Sequence, residues 1–163
     1  MSVLSQSTIA KKVFFSGVGI HTGNKVKMSV LPSAPNSGIV FKRTDLKHNN
    51  IIIPNFENVS DATLCTTVSN QFGVKVSTIE HLMAAFLGLG IDNAVVELDS
   101  QEVPILDGSA RDFVKILKDT GLKNSEVPIK LIKINNHVKL EDGDKDSSID
   151  KSNTTLEIEL EIN

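Results

Sequence analysis

The chain has 163 residues, with 17 Lys and Arg against 20 Asp and Glu and a net charge of −3. With 40% hydrophobic and 23% charged residues, the composition is that of an ordinary soluble globular protein and argues against bulk disorder, and the length allows one domain or one domain plus part of a second. No basic excess exists to release counterions, so a general nucleic-acid partner is excluded, although a local phosphate site needs only a few cations. The single cysteine, Cys65, allows neither an intrachain disulfide nor a Cys-rich zinc module. Met1 to Gln6 lacks the charged start and apolar core of a signal peptide. The most apolar stretch, Ile79 to Ile91, is shorter than the ~20 residues that cross a bilayer. A cytoplasmic protein with no stable membrane insertion is expected.

In chain order, Thr8–Ser16 and Lys25–Leu31 read as strands around the glycine-rich turn Gly17-Val18-Gly19-Ile20-His21-Thr22-Gly23. Val26, Met28 and Val30 alternate with polar residues, which predicts one buried face. Gly38–Arg43 and Asn50–Ile53 read as further short strands. Leu64–Ser69 and Val74–Ser77 flank Asn70-Gln71-Phe72-Gly73, a hairpin connection. Ser77 and Glu80 match a capping box, and Ile79, Leu82, Met83, Phe86 and Leu87 follow at helical spacing up to Gly88 and Gly90. Asn93–Leu98 is a strand whose run Ala94-Val95-Val96 predicts burial on both faces. A second helix carries Phe113, Val114, Ile116 and Leu117 and closes at Gly121. Beyond Pro128, Ile129–Ile134 and His137–Leu140 read as strands paired through Asn135-Asn136, followed by an acidic loop from Glu141 to Asn153. A final alternating strand presents Leu156, Ile158, Leu160 and Ile162 on one face. These last residues have strands but no covering helix, so a boundary near Val127 opens an incomplete second domain.

The segment Ser77-Thr78-Ile79-Glu80-His81-Leu82-Met83-Ala84-Ala85 holds the strongest chemistry. A His can ligate a metal, and an adjacent Glu can take a proton from water. It is not a zincin motif, because Ala85 stands four residues after His81. On residue types alone two readings stand: Glu80 completes a capping box beside a satisfied histidine, or the pair is a base and a ligand. His21 is a ligand or a turn residue. Gly17, Gly19 and Gly23 form a phosphate cradle or simply a tight turn, since Thr22 replaces the third glycine of a dinucleotide fingerprint. Asp142-Gly143-Asp144-Lys145-Asp146 fails as a calcium loop, with Ser147 and Asn153 where Gly and Glu are needed. Cys65 reads as a buried inert thiol in a strand.

Taken together, the glycine turn, Leu64-Cys65-Thr66-Thr67, the Glu80-His81 segment, Gly88-Leu89-Gly90-Ile91-Asp92-Asn93 and Pro104-Ile105-Leu106-Asp107-Gly108-Ser109-Ala110 resemble a known family. It is the zinc-dependent UDP-3-O-acyl-N-acetylglucosamine deacetylase of lipid A biosynthesis in Gram-negative bacteria, of which this chain resembles the amino-terminal half. The resemblance implies an α+β fold, each domain a β-sheet layer on a pair of helices (ribosomal S5 domain 2-like). It implies a first domain at residues 1–127 and the opening strands of a second at 128–163. It also implies Zn2+ as cofactor, His81 as a zinc ligand and Glu80 as general base, with Leu64 and Cys65 lining the substrate site. The two other zinc ligands, a His and an Asp, and a further catalytic His, Lys and Thr belong to the family's second half. That missing half is then the implied partner, and UDP-3-O-acyl-N-acetylglucosamine the implied substrate. Asp107 either caps the second helix or orients groups around the site. Two other readings remain: a non-catalytic truncated fragment with an incomplete zinc site, and a small nucleotide-binding domain built on the glycine turn.

Overall fold

The structure, a computed structural model, describes residues 4–152 and 157–161. Its elements run β1 (Ser5–Ile9), β2 (Val13–Val18), β3 (Lys25–Pro32), β4 (Ile39–Arg43), β5 (Ile51–Ile52), a 3-10 turn (Phe56–Asn58), β6 (Val59–Asp61), β7 (Thr67–Ser69), β8 (Lys75–Val76), α1 (Glu80–Leu89), β9 (Ala94–Leu98), α2 (Arg111–Thr120), β10 (Leu122–Pro128), β11 (Val138–Asp142) and β12 (Lys145–Ile149). The chain divides into two units, the first ending at Ile129 and the second beginning at Lys130.

The first unit is α+β. Its main sheet has the order β2-β3-β9-β4-β5, with β9 and β4 parallel and the other pairs antiparallel. The alternation in β3 buries Val26, Met28 and Val30, and the register sets Met28 against Leu98 and Val30 against Val96. Leu82, Ala85 and Phe86 of α1 and Phe113 and Leu117 of α2 join these residues in one core. The rings of Phe15 and Phe113 lie 5.4 Å apart. Each such side chain contributes about 1.5–3 kcal/mol by leaving water, which is why two short amphipathic helices stay on the sheet.

Several expected elements take a different form. The strand expected over Thr8–Ser16 is two strands, because β1 pairs with β10 and only β2 enters the main sheet. The break is held by the Ala10 amide on the Gly121 carbonyl at 2.9 Å. β9 is buried on one face only: Val95 is half-buried and Glu97 takes Lys12 and Lys42 at 3.2 and 3.1 Å. On that side Phe14 remains 71% exposed. Helix α1 runs through Gly88 and ends at Gly90, whose φ of 69° lets its amide reach Leu87 O while Ile91 N reaches Phe86 O. Asp92 and Asn93 then accept the amides of Ser7 and Gly38, so this turn is a joint between β1, β4 and the helix.

A small sheet, β6-β7-β8, stands beside the main one. The Asn70–Gly73 connection is present as expected, with Asn70 Oδ1 accepting from Phe72 N and Val74 N. Leu64 and Cys65, expected in a strand, lie in the loop before β7. β10 carries the first unit past Val127, since Ile129 N still donates to Leu4 O at 2.9 Å.

In the second unit, β11 and β12 form a hairpin with Val138 opposite Ile149 and Asp142 opposite Lys145. The expected pairing through Asn135-Asn136 is therefore replaced, and the expected acidic loop is the second strand and its turn. Gly143, at φ 65°, supplies the positive φ that a two-residue hairpin turn requires. Of the final alternating segment, Leu156 and Ile162 lie outside the described residues. Residues 157–161 form no strand, and Ile158 and Leu160 are exposed.

Candidate active site

Helix α1 begins at Glu80, two residues later than a cap at Ser77 requires. Thr78 adopts φ 58°, in the left-handed region, and breaks helical continuation at that point. Ile79 precedes the helix with no side-chain cap, so the expected capping box does not form. Ser77 Oγ instead accepts from Thr67 Oγ1 at 3.0 Å, and Glu80 Oε2 accepts from Thr66 N at 3.1 Å. A carboxylate offers four acceptor positions, so this single bond leaves Glu80 able to take a proton. Its charge sits in the first turn, where the helix dipole favours an anion. His81 is the next residue along the turn and is half-buried.

Thr66 connects this helix start to a neighbouring cleft of about 640 Å³, lined among others by His21, Thr63, Leu64, Cys65, Lys75 and Glu102. Leu64 is exposed at its edge, and Cys65 Sγ lies 3.7 Å from Thr67 Oγ1. Cys65 is thus half-buried rather than sealed in a core. Glu80 and His81 adjoin the cleft through Thr66 and are not among the residues that line it. Asp61 shapes the loop before Leu64 by accepting the Thr63 amide and hydroxyl at 2.9 and 2.8 Å, and those bonds hold its carboxyl below the usual carboxylate range.

Glu102 is the residue that sequence reasoning missed. Its side chain is fully buried. It accepts from His21 N at 3.0 Å, Thr22 N at 2.9 Å, Thr22 Oγ1 at 2.7 Å and Thr78 Oγ1 at 3.0 Å. Burial alone raises the pKa of a carboxyl. The bonds from His21, Thr22 and Thr78 outweigh it, and the group is held below its ordinary value. No signal in the sequence singles it out, since Glu102 follows the polar residues Asp99, Ser100 and Gln101.

The same geometry removes the phosphate cradle. The His21 and Thr22 amides point at Glu102, while Gly19 N and Gly23 N donate to Asn24 O and Gly19 O. The glycine at 19 is required by close approach, since a Cβ there would lie 2.2 Å from Glu102 Oε2. Asp107 is not the cap of α2. It accepts from Ser109 N and Ser109 Oγ at 3.0 Å and pairs with Arg111 at 2.8 Å, and Ser109 Oγ in turn accepts the Arg111 amide. Burial raises the Asp107 pKa, but the Ser109 bonds and the Arg111 charge bring it below its ordinary value. Among the described residues no three His, Cys, Asp or Glu side chains converge as a metal site would require. Nor is any described helix long and apolar enough to cross a membrane.

Comparison with known proteins bears on these residues together. The family model for UDP-3-O-acyl N-acetylglycosamine deacetylase matches residues 6–163. The chain belongs to this family. A relative from Shewanella baltica, named UDP-3-O-acyl-N-acetylglucosamine deacetylase, is 50% identical over 143 residues, which cover 88% of this chain and 47% of the relative. A relative of the same name from Shewanella oneidensis is 48% identical over the same coverage. The chain therefore spans about half the length of the curated relatives it matches. Family membership accounts for the order of the five segments along the chain, from the glycine turn to Ala110.

Proposed function

We propose that this chain is the amino-terminal part of a zinc-dependent deacetylase that hydrolyses the N-acetyl group of UDP-3-O-acyl-N-acetylglucosamine, the committed step of lipid A biosynthesis. The observation that carries the reading is the Glu80–His81 pair on the first turn of α1, with Glu80 anchored by the Thr66 amide and not spent on a helix cap. The domain reading extends with it: residues 1–127 as the first deacetylase domain, ribosomal S5 domain 2-like, and residues 128–163 as the opening of the second. The setting is cytoplasmic, with neither nucleic acid nor stable membrane insertion involved.

A catalytic zinc takes three protein ligands. His81 suits one of those positions, and the donor set of the described residues stops there. The other ligands, a His and an Asp, belong to the half of the family that this chain does not span. When bound, zinc supplies an acidified water, with a pKa of ~7, and a polarised carbonyl. Glu80 accepts the proton of the attacking water at its carboxylate. The second proton transfer, to the leaving amine, needs an acid from outside this chain. Leu64 and Cys65 contact substrate at the cleft edge.

No nucleotide-binding reading is retained, because the turn amides are engaged by Glu102.

The test uses this chain continued by the second half that its relatives have. Glu80→Gln is expected to lower the rate by ~10²–10⁴-fold, the usual contribution of general acid–base catalysis, at normal zinc content. His81→Ala is expected to lower zinc content as well as rate. A Glu80→Gln enzyme with full activity would sink the base assignment.

A further inference from the structure

Glu102 takes no part in the chemistry above, yet it is the only charged side chain among the buried described residues. Among the described residues no cation pairs with it. Its partners are all neutral donors, and they come from two distant segments: the turn at His21 and Thr22, and Thr78. Thr78 is itself anomalous. It is buried and β-branched, and it stands at φ 58°, where such residues are genuine outliers. Glycine would take that conformation freely, so a threonine here points to a use for its hydroxyl. That hydroxyl donates to Glu102 Oε1. The neighbouring backbone is clamped too, with Ser77 N on Gln101 O at 2.9 Å and Val103 N on Ser77 O at 3.1 Å. Glu80 begins α1 two residues beyond Thr78.

We propose that Glu102 is a positioning residue: its carboxylate holds Thr78 in the left-handed conformation that sets the direction of the first turn of α1, and it fixes the His21–Thr22 backbone against the same point. One buried carboxylate thereby keeps the helix start carrying Glu80 and His81 in register with the His21 edge of the cleft. This rests on the reading that Glu80 and His81 carry the chemistry. Glu102→Gln replaces an acceptor by an amide whose NH2 opposes the donors facing it. Thr78→Gly relieves the backbone and removes the hydroxyl, whereas Thr78→Ser keeps it.

Two measurements test the proposal. In the 163-residue chain, amide exchange followed by NMR is expected to show His21 and Thr22 protected, and to lose that protection in Glu102→Gln while Phe113 stays protected. The Glu80 and His81 amide resonances are expected to move in Thr78→Gly and to stay in place in Thr78→Ser. In the zinc-loaded enzyme that continues this chain into its second half, Thr78→Gly is expected to lower kcat by ~10–100-fold with KM unchanged, the scale of a small misplacement of a catalytic group. Thr78→Ser is expected to restore it. A Thr78→Gly protein with unmoved Glu80 and His81 resonances, or with the wild-type kcat, overturns the proposal, and it decides the matter even if Glu102→Gln does not fold. An unmutated enzyme without turnover counts against the deacetylase reading instead, and the resonance measurement then decides the positioning role alone.

Discussion

Adding one methyl group at Gly19 tests the buried carboxylate most directly. A Cβ at Gly19 would lie 2.2 Å from Glu102 Oε2, 2.6 Å from Thr22 Oγ1 and 2.7 Å from Glu102 Cδ. Relief requires the carboxylate to retreat by about 1 Å, beyond the range in which its bonds survive. Oε2 holds Thr22 N at 2.9 Å and Thr22 Oγ1 at 2.7 Å, so two bonds to a charged group are lost. At about 1.5–3 kcal/mol each, Gly19→Ala is expected to cost about 3–6 kcal/mol. That is a large part of the ~5–15 kcal/mol by which a domain is stable. Gly23→Ala is the control. Gly23 has φ 68° and nothing within 4 Å of an added Cβ, so only backbone strain applies, which is about 1–2 kcal/mol. The chain has no Trp and no Tyr, so urea unfolding is best followed by far-UV circular dichroism. Equal midpoints for the two variants would refute the claim that the turn is built around Glu102.

Other outcomes follow from the same structure. The Glu102 pKa is lowered from 4.5, so its contribution to stability is fully present above about that pH and fades as pH falls through the lower folded-state value; Glu102→Gln should flatten this acid limb, and an unchanged pH–stability profile would count against the assignment. Phe113→Ala removes the partner of Phe15 from a fully buried position and is expected to cost about 3–5 kcal/mol, checked by the same urea titration. Cutting the chain after Ile129 keeps β10 paired with β1 and removes the exposed Leu131, Ile132, Ile158 and Leu160; the shortened chain should be more soluble at an unchanged thermal midpoint, and a lost transition would show that the first unit depends on the second.

The amino-acid pattern by itself carried the local periodicities. Val26, Met28 and Val30 announced one wet and one buried face, and the helical spacing of Leu82 and Phe86 announced α1, because side-chain direction repeats with the backbone period. The turn at Asn70–Gly73 was legible for the same reason, since an Asn side chain and a glycine satisfy a tight connection locally. The Glu80–His81 pair was visible as residue types, and the order of the five segments marked the family. What depended on distant partners was not legible. Ser77 and Glu80 have the spacing of a capping box, but Thr66 and Thr67 compete for their side chains from the segment that leads into β7. The break after Ile9 exists because β10 claims β1, more than a hundred residues along the chain. Glu102 reads as an ordinary surface charge until the fold brings His21, Thr22 and Thr78 to it, since only tertiary structure can gather donors from two distant segments around one carboxylate.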